Sequence, residues 1–182
     1  MRSHFLKRIV LLLLFLAVAF VFAYLWGFYY YDPFKPDVRH KIFGNQKRLD
    51  DFLASQQVTA QRLHDRSGAL NPWVLESYDK GIIVPVAPAQ YHVVQQLLPQ
   101  STSYPWGRAK ACLPDYGVLL TFSNQQRAVQ IAICFACQQI GVFDNDSVAP
   151  VNTTRDFDPI YTRLVAVAKA IFPTDPEIQA LK

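Results

Sequence analysis

The chain has few of the residue patterns that mark catalytic sites. It contains no P-loop, no G-x-S-x-G elbow, no H-E-x-x-H and no dinucleotide-binding glycine motif. The enzyme classes that these motifs mark are therefore not indicated. It has only three cysteines and four histidines among 182 residues, and the histidines lack the spacing of metal ligands. We therefore expect no cofactor, and a non-enzymatic protein is favoured over an enzyme.

Charge is missing from a long N-terminal stretch. Three basic residues lie within the first eight positions, and no further charged residue occurs before Asp32. Ile9–Trp26 is an unbroken apolar run, which glycine and aromatic residues extend to position 31. About 20 apolar residues span a bilayer as a helix, and aromatic side chains flank such helices. The pattern predicts a basic head and transmembrane anchor over residues 1–31, contacting the lipid bilayer through residues 9–31, with a cleaved signal peptide as the alternative.

The orientation of this anchor depends on two opposed signals. A short basic head before an apolar run is typical of a signal anchor that exports the chain behind it. Five Lys and Arg in the twenty residues after the run favour the opposite orientation. We expect the signal-anchor form to decide, which predicts a single-pass protein of the bacterial inner membrane with a periplasmic soluble domain. Residues 32–44 are interpreted as a juxtamembrane stalk and residues 45–182 as one domain.

The positive charge of the chain does not indicate a nucleic-acid partner. The formal net charge is +4, from 18 Lys and Arg against 14 Asp and Glu. Removing the three N-terminal basic residues from the 18 leaves 15 against 14, so the domain is almost neutral. A nucleic-acid-binding domain concentrates a basic excess on one face. We expect no nucleic-acid partner.

The order of periodic segments predicts an α+β domain. Helical spacing of apolar residues follows Asn45 and Pro88, and a longer helical stripe follows Asp158–Pro159. Strand patterns are predicted at residues 58–63, 81–86, 117–122, 128–137 and 139–143. The order α-β-β-α-β-β-β-α, behind an N-terminal transmembrane helix, predicts a mostly antiparallel sheet covered by helices on one face.

The segment ICFAC places two cysteines three positions apart in a β-rich run. If one strand continues through both, Cys134 and Cys137 point to opposite faces of the sheet, which disfavours a thioredoxin-type dithiol. Pairing Phe122 with Arg127 in the preceding hairpin brings Cys112 opposite Cys137 on the core face. A disulfide between Cys112 and Cys137 is the favoured hypothesis, because exported domains are oxidised. A Cys112–Cys134 disulfide, reduced packing residues and a metal site remain open.

The alternative function class is a metal- or thiol-dependent enzyme. Its candidate ligands are Cys112, Cys134 and Cys137, with Asp115 as the nearest carboxylate in sequence. The three cysteines lack the tight ligand spacing of a zinc ribbon, which weakens this hypothesis.

The favoured function class is a non-enzymatic envelope protein that binds a protein or peptidoglycan-associated partner or has a structural role, with an inhibitor or immunity factor as one form. Its candidate interface residues are Trp73, Tyr104 and Trp106, which lie in predicted loops. Tryptophan and tyrosine are common anchors of protein–protein interfaces. We therefore expect a periplasmic protein partner to contact these loops.

Two segments carry a resemblance to a known group of sequences. CLPDYGVLLTF followed by IAICFACQQIGVF resembles small bacterial proteins built around a C-x-P strand and a C-F-x-C strand. The tail AKAIFPTDPEIQAL and, more weakly, LASQQVTAQRL resemble the same group, over residues 46–181. Its members often have a histidine where Tyr116 stands, which counts against a metal or catalytic role at that position. The resemblance implies the fold and a bacterial envelope setting, and no activity.

Overall fold

The computed structural model describes residues 17–22, 37–66, 71–106, 110–125, 127–144, 150–151 and 154–182. The chain divides into two units, Met1–Lys35 and Pro36–Lys182. Of the first unit, residues 17–22 are described, and they are helical and exposed.

The predicted fold class needs a correction at the N-terminus. Among the residues that the structure describes, no helix combines the length and the apolar character required to cross a bilayer. The N-terminal transmembrane helix of the predicted fold is therefore not part of the described architecture. The remainder of the predicted anchor, residues 9–16 and 23–31, lies outside the described residues.

The second unit is an α+β domain built on one antiparallel sheet. Its helices are α1 (Val38–Lys41), α2 (Gln46–Ala54), α3 (Pro88–Leu97), α4 (Tyr161–Ile171) and α5 (Pro176–Ala180). Its strands are β1 (Gln57–Asp65), β2 (Tyr78–Lys80), β3 (Val84–Pro85), β4 (Val118–Ser123), β5 (Ala128–Cys134), β6 (Gln139–Asp144) and β7 (Arg155–Asp156). The spatial order is β2-β1-β4-β5-β6-β7, with β3 also paired to β1. The α+β class with a mostly antiparallel sheet is confirmed.

The predicted order of elements is wrong in detail. The single strand predicted at residues 81–86 is replaced by the short strands β2 and β3, which both pair with β1. Residues 81–83 separate them, although Gly81 N–H still donates to Arg62 O of β1 at 2.9 Å. Pro85 has no N–H to donate, which keeps β3 short. The short elements α1, α5 and β7 were not predicted.

Part of the predicted stalk packs into the domain, while residues 32–36 lie outside the described residues. Val38, Ile42 and Phe43 are buried in the core of the domain, and Asp37 caps the short helix α1 by accepting a hydrogen bond from His40 N–H. Residues 37–44 therefore belong to the folded domain. Asn45 caps α2 as predicted, through a 2.8 Å hydrogen bond that its side chain accepts from Arg48 N–H.

The sheet has two faces with different coverage. On the first face, the strands pack against helices α2, α3 and α4 through the larger apolar core. On the second face, a smaller cluster is covered by irregular segments rather than by helices. Alternation along β4 separates the two: Leu120 and Phe122 face the helices, and Leu119 faces the other side. The smaller cluster consists of Leu63, Leu75, Tyr78, Tyr116, Leu119, Ala132, Cys134, Cys137 and Phe143, with Cys112 packed against it.

The register of the central hairpin differs from the prediction by two residues. Phe122 pairs with Val129 rather than with Arg127, and Leu120 pairs with Ile131. The loop is closed by reciprocal bonds between Asn124 and Arg127, including a 2.9 Å bond from Asn124 N to Arg127 O. A shift of two preserves the face of every side chain, since the strand period is two. The predicted core face of both strands is therefore right although the pairing is wrong.

Candidate functional site

The second C-x-x-C cysteine lies in a turn, not in a strand. Strand β5 ends at Cys134, and Cys134 pairs with Gln139 on β6 across the turn formed by residues 135–138. Gln138 completes this turn with a positive φ of 56°, a left-handed conformation that ends the strand alternation. Cys134 and Cys137 consequently belong to the same second-face cluster. The expectation that the two cysteines point to opposite faces is wrong for this reason.

Cys112 and Cys137 form a disulfide. Their Cα atoms are 6.0 Å apart, within the usual Cα separation of such bonds, and 25 positions separate them in sequence. The bond lies on the second face, whereas the sequence analysis placed it on the helix-covered core face. Cys112 lies in an irregular segment, so the pairing results from the turn after Cys134 and from the path of residues 110–117, not from a strand register.

Cys134 is the remaining cysteine, and it is fully buried. Its sulfur accepts backbone N–H bonds from Asp115 and from Cys137, each at 3.3 Å. Burial raises the pKa of the Cys134 thiol, and the N–H donors only partly oppose this effect. The charge of Asp115 raises the pKa further. The arrangement keeps Cys134 as a neutral thiol that holds the turn and the neighbouring segment together.

Two irregular segments, residues 71–78 and 112–116, lie over the second face, and we call them the cover. Tyr78 joins them, because its hydroxyl lies 2.9 Å from Pro72 O and 3.1 Å from Pro114 O and shares its proton between these carbonyls. The same oxygen accepts a bond from Tyr116 N–H at 3.3 Å. Burial raises the pKa of Tyr78 to about 12. Tyr78 therefore stays a protonated donor at neutral pH.

A row of buried polar side chains crosses the second face beside the disulfide. Cys134, Gln139 and Asp156 occupy directly paired positions on β5, β6 and β7, which places their side chains on one face. Gln139 Nε2 donates to Asp156 Oδ1 at 3.0 Å. Gln139 Oε1, Asp156 Oδ2 and the hydroxyl of Tyr116 are buried and have no hydrogen-bond partner within the described part of the chain. Sequence reasoning missed Gln139 and Asp156, although the alternation with Gly141 and Phe143 indicates the face of Gln139.

The residues proposed as metal ligands do not assemble into a metal site. The sulfurs of Cys112 and Cys137 are bonded to each other. Asp115 contacts Cys134 through its backbone N–H, and its side chain belongs to an exposed residue. Across residues 17–22 and the described ranges from 37 to 182, no group of three or more His, Cys, Asp or Glu is arranged to hold a metal ion.

The three predicted interface residues have different environments. Tyr104 is only 4% exposed, and its hydroxyl donates to Leu98 O at 2.7 Å. Little of its side chain is therefore available to a partner, and its interface role stays a prediction. Trp106 packs partly against the core and donates from Nε1 to Ser101 O at 2.6 Å. Both side chains stabilise the turn after α3. Trp73 is half-buried in the cover and keeps part of its surface available.

The structure reveals exposed aliphatic side chains that the sequence analysis did not single out. Ile82 is 86% exposed and Ile83 is 62% exposed. They lie between β2 and β3, beside the outer edge of β1. Leu113, next to Cys112 in the cover, is 70% exposed. The run GIIVPV was predicted as a strand, and that prediction did not single out its isoleucines as exposed.

Comparison with protein-family models, with curated proteins and with solved structures finds no match to this chain. Its function must therefore be inferred from the geometry of the two faces and of the exposed edge.

Proposed function

We propose that the domain of residues 37–182 is a non-enzymatic protein-binding module that works in an oxidising compartment. The observation that carries this proposal is the exposed isoleucine pair, Ile82 and Ile83, at the edge of the sheet. Burying one isoleucine side chain stabilises a complex by about 1.5–3 kcal/mol before the costs of association. Two adjacent side chains of this kind form an apolar anchor point for a partner.

The position of the isoleucines supports a binding role over a folding role. Both side chains are exposed, and neither belongs to the two apolar clusters of the domain. They are flanked by exposed charged residues, Asp79 and Lys80. An apolar centre with a polar rim is the usual composition of a protein–protein interface. The partner is therefore a protein that presents an apolar pocket or ridge.

The chemistry of the buried groups supports a non-enzymatic role. Cys134 is buried and burial raises the pKa of its thiol, whereas the catalytic cysteine of an enzyme is an activated thiolate at neutral pH. The hydroxyls of Ser55, Ser77 and Ser103 each donate to a backbone carbonyl. These side chains cap turns and helix ends, and they are not arranged as nucleophiles.

The disulfide supports a location outside the cytoplasm. Structural disulfides persist in secreted and periplasmic proteins and are rare in reducing compartments. The Cys112–Cys137 bond holds the cover on the second face, so the domain depends on oxidation for that contact. We propose the periplasm of a bacterium as the compartment.

Affinity capture with surface variants tests the binding proposal. The full chain and its Ile82→Ser/Ile83→Ser variant would serve as baits for the same envelope extract. We expect a specific protein to be captured by the wild type and lost with the variant. Leu53→Ser is the matched control, because Leu53 is 46% exposed on α2, away from the edge. Identical capture by the wild type and the double variant would refute the role of the isoleucine pair.

A further inference from the structure

The disulfide and the free thiol of Cys134 lie at the turn between β5 and β6 and share main-chain neighbours. Cys137 is bonded to Cys112, and its backbone N–H donates to Cys134 Sγ at 3.3 Å. The third sulfur therefore lies against the main chain of a residue that is already in a disulfide. Asp115 N–H, from the same cover segment as Cys112, donates to Cys134 Sγ as well. The free thiol thus contacts both segments that the disulfide joins, namely the turn after β5 and the cover segment of residues 112–116.

We propose that Cys112, Cys134 and Cys137 form one thiol–disulfide exchange site, in which Cys134 replaces Cys112 as the partner of Cys137. This inference is independent of the proposed binding function, since it rests on the sulfur cluster and not on the exposed edge.

The exchange is balanced without an external reagent. The Cys134 thiolate attacks Cys137 Sγ, a Cys134–Cys137 bond forms, and the Cys112–Cys137 bond breaks. The electron pair of the broken bond leaves on Cys112 Sγ, which takes up a proton from water. One disulfide and one thiol are present before and after the step. No residue is oxidised or reduced overall.

The surroundings of Cys134 hold the resting protein in the Cys112–Cys137 form. The groups facing the thiol are Asp115 from the cover and the hydroxyls of Tyr78 and Tyr116. Burial and the negative charge of Asp115 both disfavour the thiolate that the attack needs. Lys110 Nζ donates to Cys137 O at this turn and pairs with Asp158. Exchange is therefore slow at neutral pH and accelerates as the pH rises.

The exchange moves the reactive thiol from the core to the surface. Cys134 is fully buried, whereas Cys112 is partly exposed beside Leu113. Release of Cys112 also removes the covalent link between the cover and the turn, so hydrogen bonds such as those of Tyr78 must then hold the segment in place. A surface thiol next to an exposed leucine is available for a mixed disulfide with another protein.

Alkylation and peptide mapping of the full chain test the exchange. The protein would be incubated without reductant between pH 7 and pH 10 and then alkylated, and the disulfide in the monomeric species would be mapped. We expect alkylated Cys112 and a Cys134–Cys137 bond to accumulate, with a rate that rises about tenfold per pH unit below the thiol pKa. If the Cys112–Cys137 bond persists at every pH and alkylation occurs only at Cys134, the proposal is wrong.

Two variants complete the experiment. Cys134→Ser removes the attacking sulfur, so Cys112 should stay unlabelled at every pH. Cys112→Ser leaves only the alternative pair, and oxidised glutathione should convert it to an intramolecular Cys134–Cys137 disulfide. Two persistent free thiols, or only glutathione adducts, in folded Cys112→Ser protein would overturn the proposal. Circular dichroism establishes that the variant is folded before it is oxidised.

Discussion

The two faces of the sheet are stabilised in different ways. The first face packs against three helices through many dispersed apolar contacts, such as the ring contacts of Phe52 with Phe43 and Phe122 at 5.0 and 4.5 Å. The second face is covered by segments that are attached through one disulfide, the Tyr78 hydroxyl and the bond from Asp115 N–H to Cys134 Sγ. Where many small contacts stabilise a face, removing any one of them has little effect on stability, unless a large core side chain is removed. A face with few links depends on each of them, and can open without unfolding the domain.

The largest effect is expected from removing a central residue of the first face. Phe52 is fully buried, and Phe52→Ala should lower the free energy of unfolding by about 3–5 kcal/mol, because it leaves a cavity between α2 and the sheet. Urea denaturation measures this. Leu53→Ala is the control on the same helix, and its cost should stay below about 1 kcal/mol since Leu53 is 46% exposed. Equal costs for the two variants would mean that the helix-covered core is misassigned.

The second largest effect concerns the disulfide of the second face. Breaking a loop of this size should cost about 3 kcal/mol on the chain-entropy model. Cys112→Ala and Cys137→Ala should therefore lower the melting temperature by similar amounts, and the double variant should be no less stable than the worse single variant. Additive losses in calorimetry would show that the two cysteines act separately.

A smaller effect is expected where the cover touches β6. A Cβ at Gly141 would lie 2.5 Å from the Tyr116 hydroxyl and 2.9 Å from a ring carbon of Phe143. Gly141→Ala should cost about 1–3 kcal/mol by overpacking. Tyr116→Phe removes an unpartnered hydroxyl and should be nearly neutral alone. In Gly141→Ala protein, Tyr116→Phe should recover part of the loss in chemical denaturation. No recovery would show that the Phe143 contact, not the Tyr116 contact, limits this position.

The smallest effect is an ion pair on the first face. Burial would raise the pKa of Asp175, but hydrogen bonds from Ile178 N–H and Arg62, together with the Arg62 charge, lower it below its ordinary value of 3.8. A depressed carboxylate pKa stabilises the folded state above the unfolded-state pKa, and the gain is lost as the pH falls through the folded-state pKa. Asp175→Asn, which keeps the helix cap, should cost under about 1 kcal/mol at pH 7.

The pH dependence of that cost supplies the control. The difference in unfolding free energy between the wild type and Asp175→Asn should shrink below about pH 4, where the wild-type carboxylate becomes protonated. A difference that is constant from pH 7 to pH 3 would assign the effect to the cap and not to the charge.

The two faces were also unequally predictable from the sequence. The first face follows from alternation with a period of two, which identified Val129, Ile131 and Phe122 as core residues despite a register error of two. The loop length that sets the register depends on the bonds between Asn124 and Arg127, which leave no pattern in hydropathy. Alternation is insensitive to that error, so the core was found and the pairing was not.

The second face could be predicted less well, because turns and irregular segments build it. The alternation of β5 stops at Cys134, and the turn brings Cys137 to the same side. The pair Cys112 and Cys137 was predicted from a strand register and an oxidising setting, but the structure brings these cysteines together on the other face and without that register. The polar row through Gln139 and Asp156 depends on pairing between β6 and β7, and β7 is two residues long, too short to leave a periodic signal.

Hydrogen exchange with and without reductant tests the contrast between the two faces most directly. We expect reduction to increase exchange at the cover amides, such as Asp115 and Tyr116, which bond to Cys134 Sγ and to the Tyr78 hydroxyl. Amides of helices α2 and α4 should keep their protection, because the first face does not depend on the disulfide. Uniform loss of protection across both faces, or unchanged protection of the cover, would contradict the account.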